Sequence, residues 1–74
     1  MKKTCPIELP EQVQGQIAAM PEHSCGVNRV TLILANGAEI PDVYVGWAKD
    51  ILRVGRSSEL DFDPDQVVGA RHQP

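Results

Sequence analysis

Apolar residues recur along this chain at two spacings, and the switch between them separates a helical head from a β-rich remainder. Leu9, Val13, Ile17 and Met20 lie three or four residues apart, which puts them on one stripe of an α-helix. Pro10 suits the first turn, Glu11 complements the positive end and Pro21 stops the run, so the spacing predicts a helix over about residues 10–20. Gly15 costs such a helix about 1 kcal/mol relative to alanine. A segment this short persists only with its stripe packed on something else.

Beyond Val27 the repeat changes to two. Val30, Leu32 and Leu34 alternate with Thr31, Ile33 and Ala35, a run rich in branched side chains that predicts a strand. Asn36-Gly37 then supplies two residues that tolerate positive φ, the demand of a type I′ hairpin turn. The second predicted strand runs from about Ala38 to Trp47, with a bulge or bend near Pro41-Asp42 because proline donates no hydrogen bond. Val43, Val45 and Trp47 share one of its faces, Tyr44 and Gly46 the other. Lys49-Asp50 reads as a tight turn, Ile51 to Val54 as a third strand and Gly55-Arg56-Ser57-Ser58 as a loop. Glu59 to Asp63 alternates acidic with apolar residues, which predicts a half-buried fourth strand. Pro64-Asp65-Gln66 suits one 3₁₀ turn, and Val67 to Arg71 gives a fifth strand. The pattern predicts a mainly β single domain over 1–74. A helix over about 10–20 precedes a five-stranded, strongly bent antiparallel barrel over about 27–72.

Size and charge narrow the reading. A core built from 74 residues leaves little net stability, so assembly into a homo-oligomer is expected. The opening Met1-Lys2-Lys3-Thr4 resembles the start of a secretory signal, but Pro6, Glu8, Pro10 and Glu11 break what would be its apolar region. No run is long enough to span a membrane. The chain reads as cytoplasmic. Net charge is −3. Charges cancel over residues 1–30, and the deficit falls on the remainder, so the overall basic excess of a generic nucleic-acid binder is missing.

The stretch LILANGAEIPDVYVGWAKDILRV resembles the first three strands of the Sm-like small barrels, with Trp47 where an aromatic precedes the third strand. The outline from Leu9 to His72, one helix and five strands with a 3₁₀ turn before the last, is similar to the Sm-like fold in its Hfq and Rof forms. The resemblance implies an SH3/Sm-like barrel, a tendency to oligomerise, and binding of RNA or, as in the Rof family, of a protein. Asp42 stands where those families tend to have glycine at the bend, and Ala48 where they have aspartate after the aromatic. The Lys-His pair of the Hfq type is missing, and no RNA-contacting residue is carried over from the family.

Read on their own, Trp47, Lys49, Arg53 and Arg56 flank the second and third turns. They combine an aromatic plane with cations, the chemistry that stacks bases and neutralises phosphate, and form the candidate RNA- or partner-binding set. In phase with Val43 and Val45, Trp47 more often serves as a core or interface anchor, and that is the first expectation for it. Arg53 and Arg56 read equally as surface partners of Asp50 and Glu59. Glu59, Asp61 and Asp63 form a candidate acidic face that keeps an edge strand from indiscriminate pairing or docks a basic partner.

Cys5, His23, Cys25 and His72 are residue types that bind zinc, but their spacing follows no zinc-site pattern, and no metal or cofactor is expected. A Cys5–Cys25 disulfide would tie the two flanks of the helix, against the cytoplasmic reading. Cys25 beside His23 lacks a third group to orient the imidazole, and no catalytic residue is assigned. The reading at this level is a non-enzymatic small binding module or regulator that contacts RNA or a protein of the nucleic-acid machinery. The alternative is an oligomeric small-barrel enzyme with its site at a subunit junction.

Overall fold

The structure, a computed structural model, describes residues 3–73; Met1, Lys2 and Pro74 lie outside the described residues. The chain folds as β1 (Lys3–Thr4), β2 (Ile7–Glu8), helix α1 (Glu11–Ala18), β3 (Val27–Leu34), β4 (Glu39–Gly46), β5 (Asp50–Val54), β6 (Glu59–Leu60), a 3₁₀ turn (Pro64–Gln66) and β7 (Val67–His72). Five antiparallel strands in the order β2-β5-β4-β3-β7 curl into a half-barrel, and β1 pairs with β6 as a separate two-stranded ladder. No helix among the described residues is long and apolar enough to cross a membrane.

Two elements differ from the sequence pattern. Glu59 to Asp63 is extended only over Glu59–Leu60, and this piece pairs with β1 outside the main sheet. Its place in the five-stranded sheet falls to Ile7–Glu8, set against Ile51 and Asp50 of β5. Two residues are too few for any periodicity to show. The sheet therefore ends on β2 and β7, which are not hydrogen-bonded to each other.

The β3–β4 hairpin forms, but not on the expected turn. The Leu34 carbonyl accepts from Gly37 N (2.9 Å), Leu34 N donates to the Ala38 carbonyl (2.9 Å), and Gly37 alone among the turn residues has positive φ (88°). Asn36 stays at negative φ, and its Oδ1 accepts from Ala38 N (2.9 Å). This is the longer hairpin loop, closed by a left-handed glycine, that ranks next to the two-residue type I′ connection. Asparagine serves here through its side-chain oxygen rather than through its tolerance of left-handed backbone.

The bulge at Pro41-Asp42 is present. Val30 faces Val43 and Leu32 faces Ile40, so Thr31 stands opposite both Pro41 and Asp42, and Asp42 has φ of 62°. Gln73 pins this irregularity. Its Oε1 accepts from Asp42 N (2.7 Å) and from Thr31 Oγ1 (3.1 Å), giving partners to a main-chain donor and a buried hydroxyl that the bulge leaves outside the ladder. Gln73→Ala is expected to destabilise the fold by about 1–3 kcal/mol, the cost of stranding such donors. Urea denaturation measures it, and a loss below about 0.5 kcal/mol would mean that water replaces the amide.

The core explains why the strands bend around the helix. Val30, Leu32 and Leu34 of β3, Val43 and Val45 of β4, Ile51, Leu60 and Val67 pack with Leu9, Val13 and Ile17 of the helical head. Helix α1 lies on β7, where Gln16 Oε1 accepts from Ala70 N (3.1 Å). At its far end buried Asn28 donates from Nδ2 to the carbonyls of Met20 (3.4 Å) and Pro21 (3.1 Å), so the one amide among inward aliphatics is satisfied by the chain leaving the helix.

Candidate functional site: an exposed tryptophan beside an arginine–tyrosine row

The outward face of β3, β4 and β5 gathers the chemistry. Strand β4 ends at Gly46, and the chain reverses through Trp47 and Ala48 with φ of 54° and 59°, closed by Lys49 N donating to the Gly46 carbonyl (3.0 Å). Positive φ at both central residues is the demand of the type I′ turn, met here without glycine or asparagine. Each such residue costs roughly 1–2 kcal/mol. The turn takes Trp47 out of phase with Val43 and Val45. It is not a core residue: 79 % of its surface is exposed.

The indole is nevertheless seated. Trp47 N donates to the Gly26 carbonyl (2.7 Å), and the indole rests on buried Gly26, where an added Cβ would come within 2.9 Å of the ring. Gly26 also has φ of 77°. Leu52, 39 % exposed, extends the apolar surface by lying over Gly46, where a Cβ would meet it at 3.1 Å. Leu52 is the extra residue of a β5 irregularity, since the register passes from Tyr44 opposite Arg53 to Val45 opposite Ile51.

Beside this apolar patch Arg29, Tyr44 and Arg53 stand in register across three strands. The Arg53 guanidinium lies over the Tyr44 ring, with Cζ 3.7 Å from its centroid, and donates from Nη1 to the Gly55 carbonyl (2.7 Å). Arg29 Cζ is 6.0 Å from the same ring, and its Nε and Nη2 each reach Asp42 Oδ1 at 2.8 Å. His23 meets the ring edge-on, centroids 5.7 Å apart. A cation over an aromatic face contributes about 0.5–2 kcal/mol. Here it also fixes the plane of Arg53.

The sequence set is split by the fold. Trp47 and Lys49 stand at one end of β5, Arg53 and Arg56 towards the other; counted along β4, Trp47 is roughly 10 Å from the level of Arg53, opposite Tyr44, and roughly 17 Å from the loop of Arg56, whose Gly55 bonds Asp42. Arg56 tips a two-residue loop in which Val54 and Ser57 exchange both backbone bonds at 2.9 Å, and Gly55 N donates to the Asp42 carbonyl (2.8 Å). Neither Arg53 nor Arg56 pairs with Asp50, Glu59 or any other carboxylate among the described residues. Lys49 Nζ lies 3.7 Å from Glu8 Oε2, both side chains exposed. Against protein-family models, curated proteins and solved structures, the chain has no match.

Glu59, Asp61 and Asp63 are exposed on the β6 segment, beyond the Arg56 loop, and make no ion pair among the described residues. Asp63 Oδ1 accepts from Asp65 N (2.9 Å) and so caps the 3₁₀ turn. Sequence reasoning missed Tyr44, Arg29 and His23 as members of the outer face. Alternation in β4 put Tyr44 on the side away from Val43, but only the cross-strand register brings the two arginines to it.

Both cysteines are free, Cys5 half-buried against the core and Cys25 exposed beside Gly26. No group of three or more His, Cys, Asp or Glu side chains gathers among the described residues. Burial pushes the Cys5 thiol up, which lowers its thiolate fraction at any given pH, and thiolate is the reactive form. Iodoacetamide at mildly alkaline pH is therefore expected to label Cys25 before Cys5. Peptide mass spectrometry over time checks the order, and equal rates would show Cys5 to be as accessible as Cys25.

Proposed function

We propose that the protein is a non-enzymatic binding module of the Sm-like or SH3-like small-barrel kind, whose contact surface is the outer face of β3, β4 and β5 and whose partner is single-stranded RNA. One observation carries the reading: Trp47 is held in water by a left-handed turn and a glycine seat, at one end of β5, while Arg53 and Arg56 towards the other end are neutralised by no carboxylate among the described residues. Strained residues persist where surrounding structure over-determines them, and they cluster at sites of contact. An exposed aromatic plane with neighbouring arginines suits bases and phosphates together.

Net charge of −3 supports a second reading, a protein of the nucleic-acid machinery, with Glu59, Asp61 and Asp63 as its docking face. Assembly of several copies belongs to both readings, since it would repeat the face around a ring. The direct test is titration of the protein with single-stranded RNA at low salt, followed through the fluorescence of Trp47, the one tryptophan of the chain. Saturable quenching supports the RNA reading. An unchanged signal at low salt, with no shift of a labelled strand either, turns the assignment to a protein partner.

A further inference from the structure

We propose that a short single strand of RNA lies along β5, one base stacked on Trp47 and two phosphates held by Arg53 and Arg56; this rests on the RNA reading above and assigns its path. The two ends of β5 offer different chemistry. At one, the indole presents open surface above its Gly26 seat, flanked by Leu52. At the other, Arg53 uses Nη1 on the Gly55 carbonyl and its flat side on Tyr44, so Nε and Nη2 keep their donors for a ligand. Arg56 stands exposed at the loop tip with no bond to any other described residue. Guanidinium is the cation that matches phosphate with paired donors, and an Arg already fixed in plane loses less freedom on binding.

Among the described residues, the carboxylates around that end are not bonded to either arginine. Asp42, the carboxylate beside Gly55, is occupied by Arg29, whose charge offsets it. The acidic run Glu59, Asp61 and Asp63 belongs to the segment after Ser57, beyond the loop that carries Arg56. The span of roughly 10 Å from Trp47 to Arg53 and roughly 17 Å to the loop of Arg56 suits a strand of a few nucleotides rather than one nucleotide. The net charge of −3 opposes long-range attraction, so the few phosphate contacts must be local.

The prediction is quantitative because counterion release counts phosphates. Two phosphate contacts on a single strand give a slope of about −1.4 for log K against log salt, or about sevenfold weaker binding between 50 and 200 mM. The probe is a fluorescein-labelled oligouridylate of about six nucleotides, read by anisotropy so that variants lacking tryptophan remain measurable. Arg56→Gln, at an exposed position bonded to nothing in the described chain, is expected to halve the slope to about −0.7, and Arg53→Gln to do the same. Trp47→Ala is expected to weaken binding about fivefold or more while leaving the slope unchanged. A duplex of equal length is expected to bind more weakly than the single strand.

Binding of the oligonucleotide with affinity and slope unaltered in both arginine variants would overturn the path while leaving the RNA reading in place. Failure of the oligonucleotide to bind even at low salt would overturn the RNA reading itself and leave the face to a protein partner.

Discussion

Replacing Ile17 with alanine is expected to remove about 2–5 kcal/mol of stability, a large part of what a chain this size possesses. Ile17 has no exposed surface and is the largest fully buried residue of helix α1, lying with Val13 and Leu9 between the head of the chain and the concave side of the sheet. The helix has only two turns and makes no side-chain cap hydrogen bond at Pro10, so it does not hold its shape in water alone. Deleting the Ile17 branch removes buried apolar area and leaves a cavity that strands on one side and helix on the other cannot both close. Urea denaturation followed by far-UV circular dichroism measures the loss. Val68→Ala, on an exposed side chain of β7, is the control and is expected to stay within about 0.5 kcal/mol. Equal losses at the two positions would show that the helix does not contribute to the core.

The second large effect concerns the seat of the tryptophan. Gly26→Ala is expected to destabilise the protein by about 1–2 kcal/mol, because φ of 77° is left-handed and penalises any Cβ. It is also expected to unseat the indole, since the new methyl would stand 2.9 Å from the ring. That ring is largely exposed and can swing away, so the steric part is relieved by moving Trp47 rather than by opening the core. Two signals separate these parts: the denaturation midpoint reports the backbone cost, and acrylamide quenching of Trp47 reports the loss of the seat. Quenching is expected to rise. Combined with Trp47→Ala, the Gly26→Ala cost is expected to fall back to its backbone share, and strictly additive losses would show that the two positions do not touch. Under the proposed function, Gly26→Ala also weakens RNA binding without removing any residue that contacts RNA.

Much of the architecture was legible in the residues. Helical spacing of Leu9, Val13 and Ile17 marked the helix, although the structure ends it at Ala18 rather than at Met20 before Pro21. Alternation in β3 and β4, the break at Pro41-Asp42 and the 3₁₀ turn over Pro64–Gln66 all came through, because each depends on local backbone chemistry or on one buried face. Val27 begins β3 earlier than Val30, and β7 reaches His72. The candidate site was legible only as a set of residue types. Trp47, Arg53 and Arg56 were visible, but one residue's difference in where β4 ends decides whether Trp47 points into the core or out of it.

By itself the sequence determined the balance of helix and strand, the hairpin and its bulge, and which aliphatic side chains turn inward, since these follow from propensity, periodicity and the missing N–H of proline. Only the tertiary structure decided the rest. It set Ile7–Glu8 as a sheet strand in place of the acidic segment, drew Gln73 onto the bulge, turned Trp47 out onto Gly26, and aligned Arg29, Tyr44 and Arg53 in one row. Each of these is a contact between residues distant along the chain, fixed by strand register and by where one backbone can approach another, and no local pattern of residues encodes such a distance.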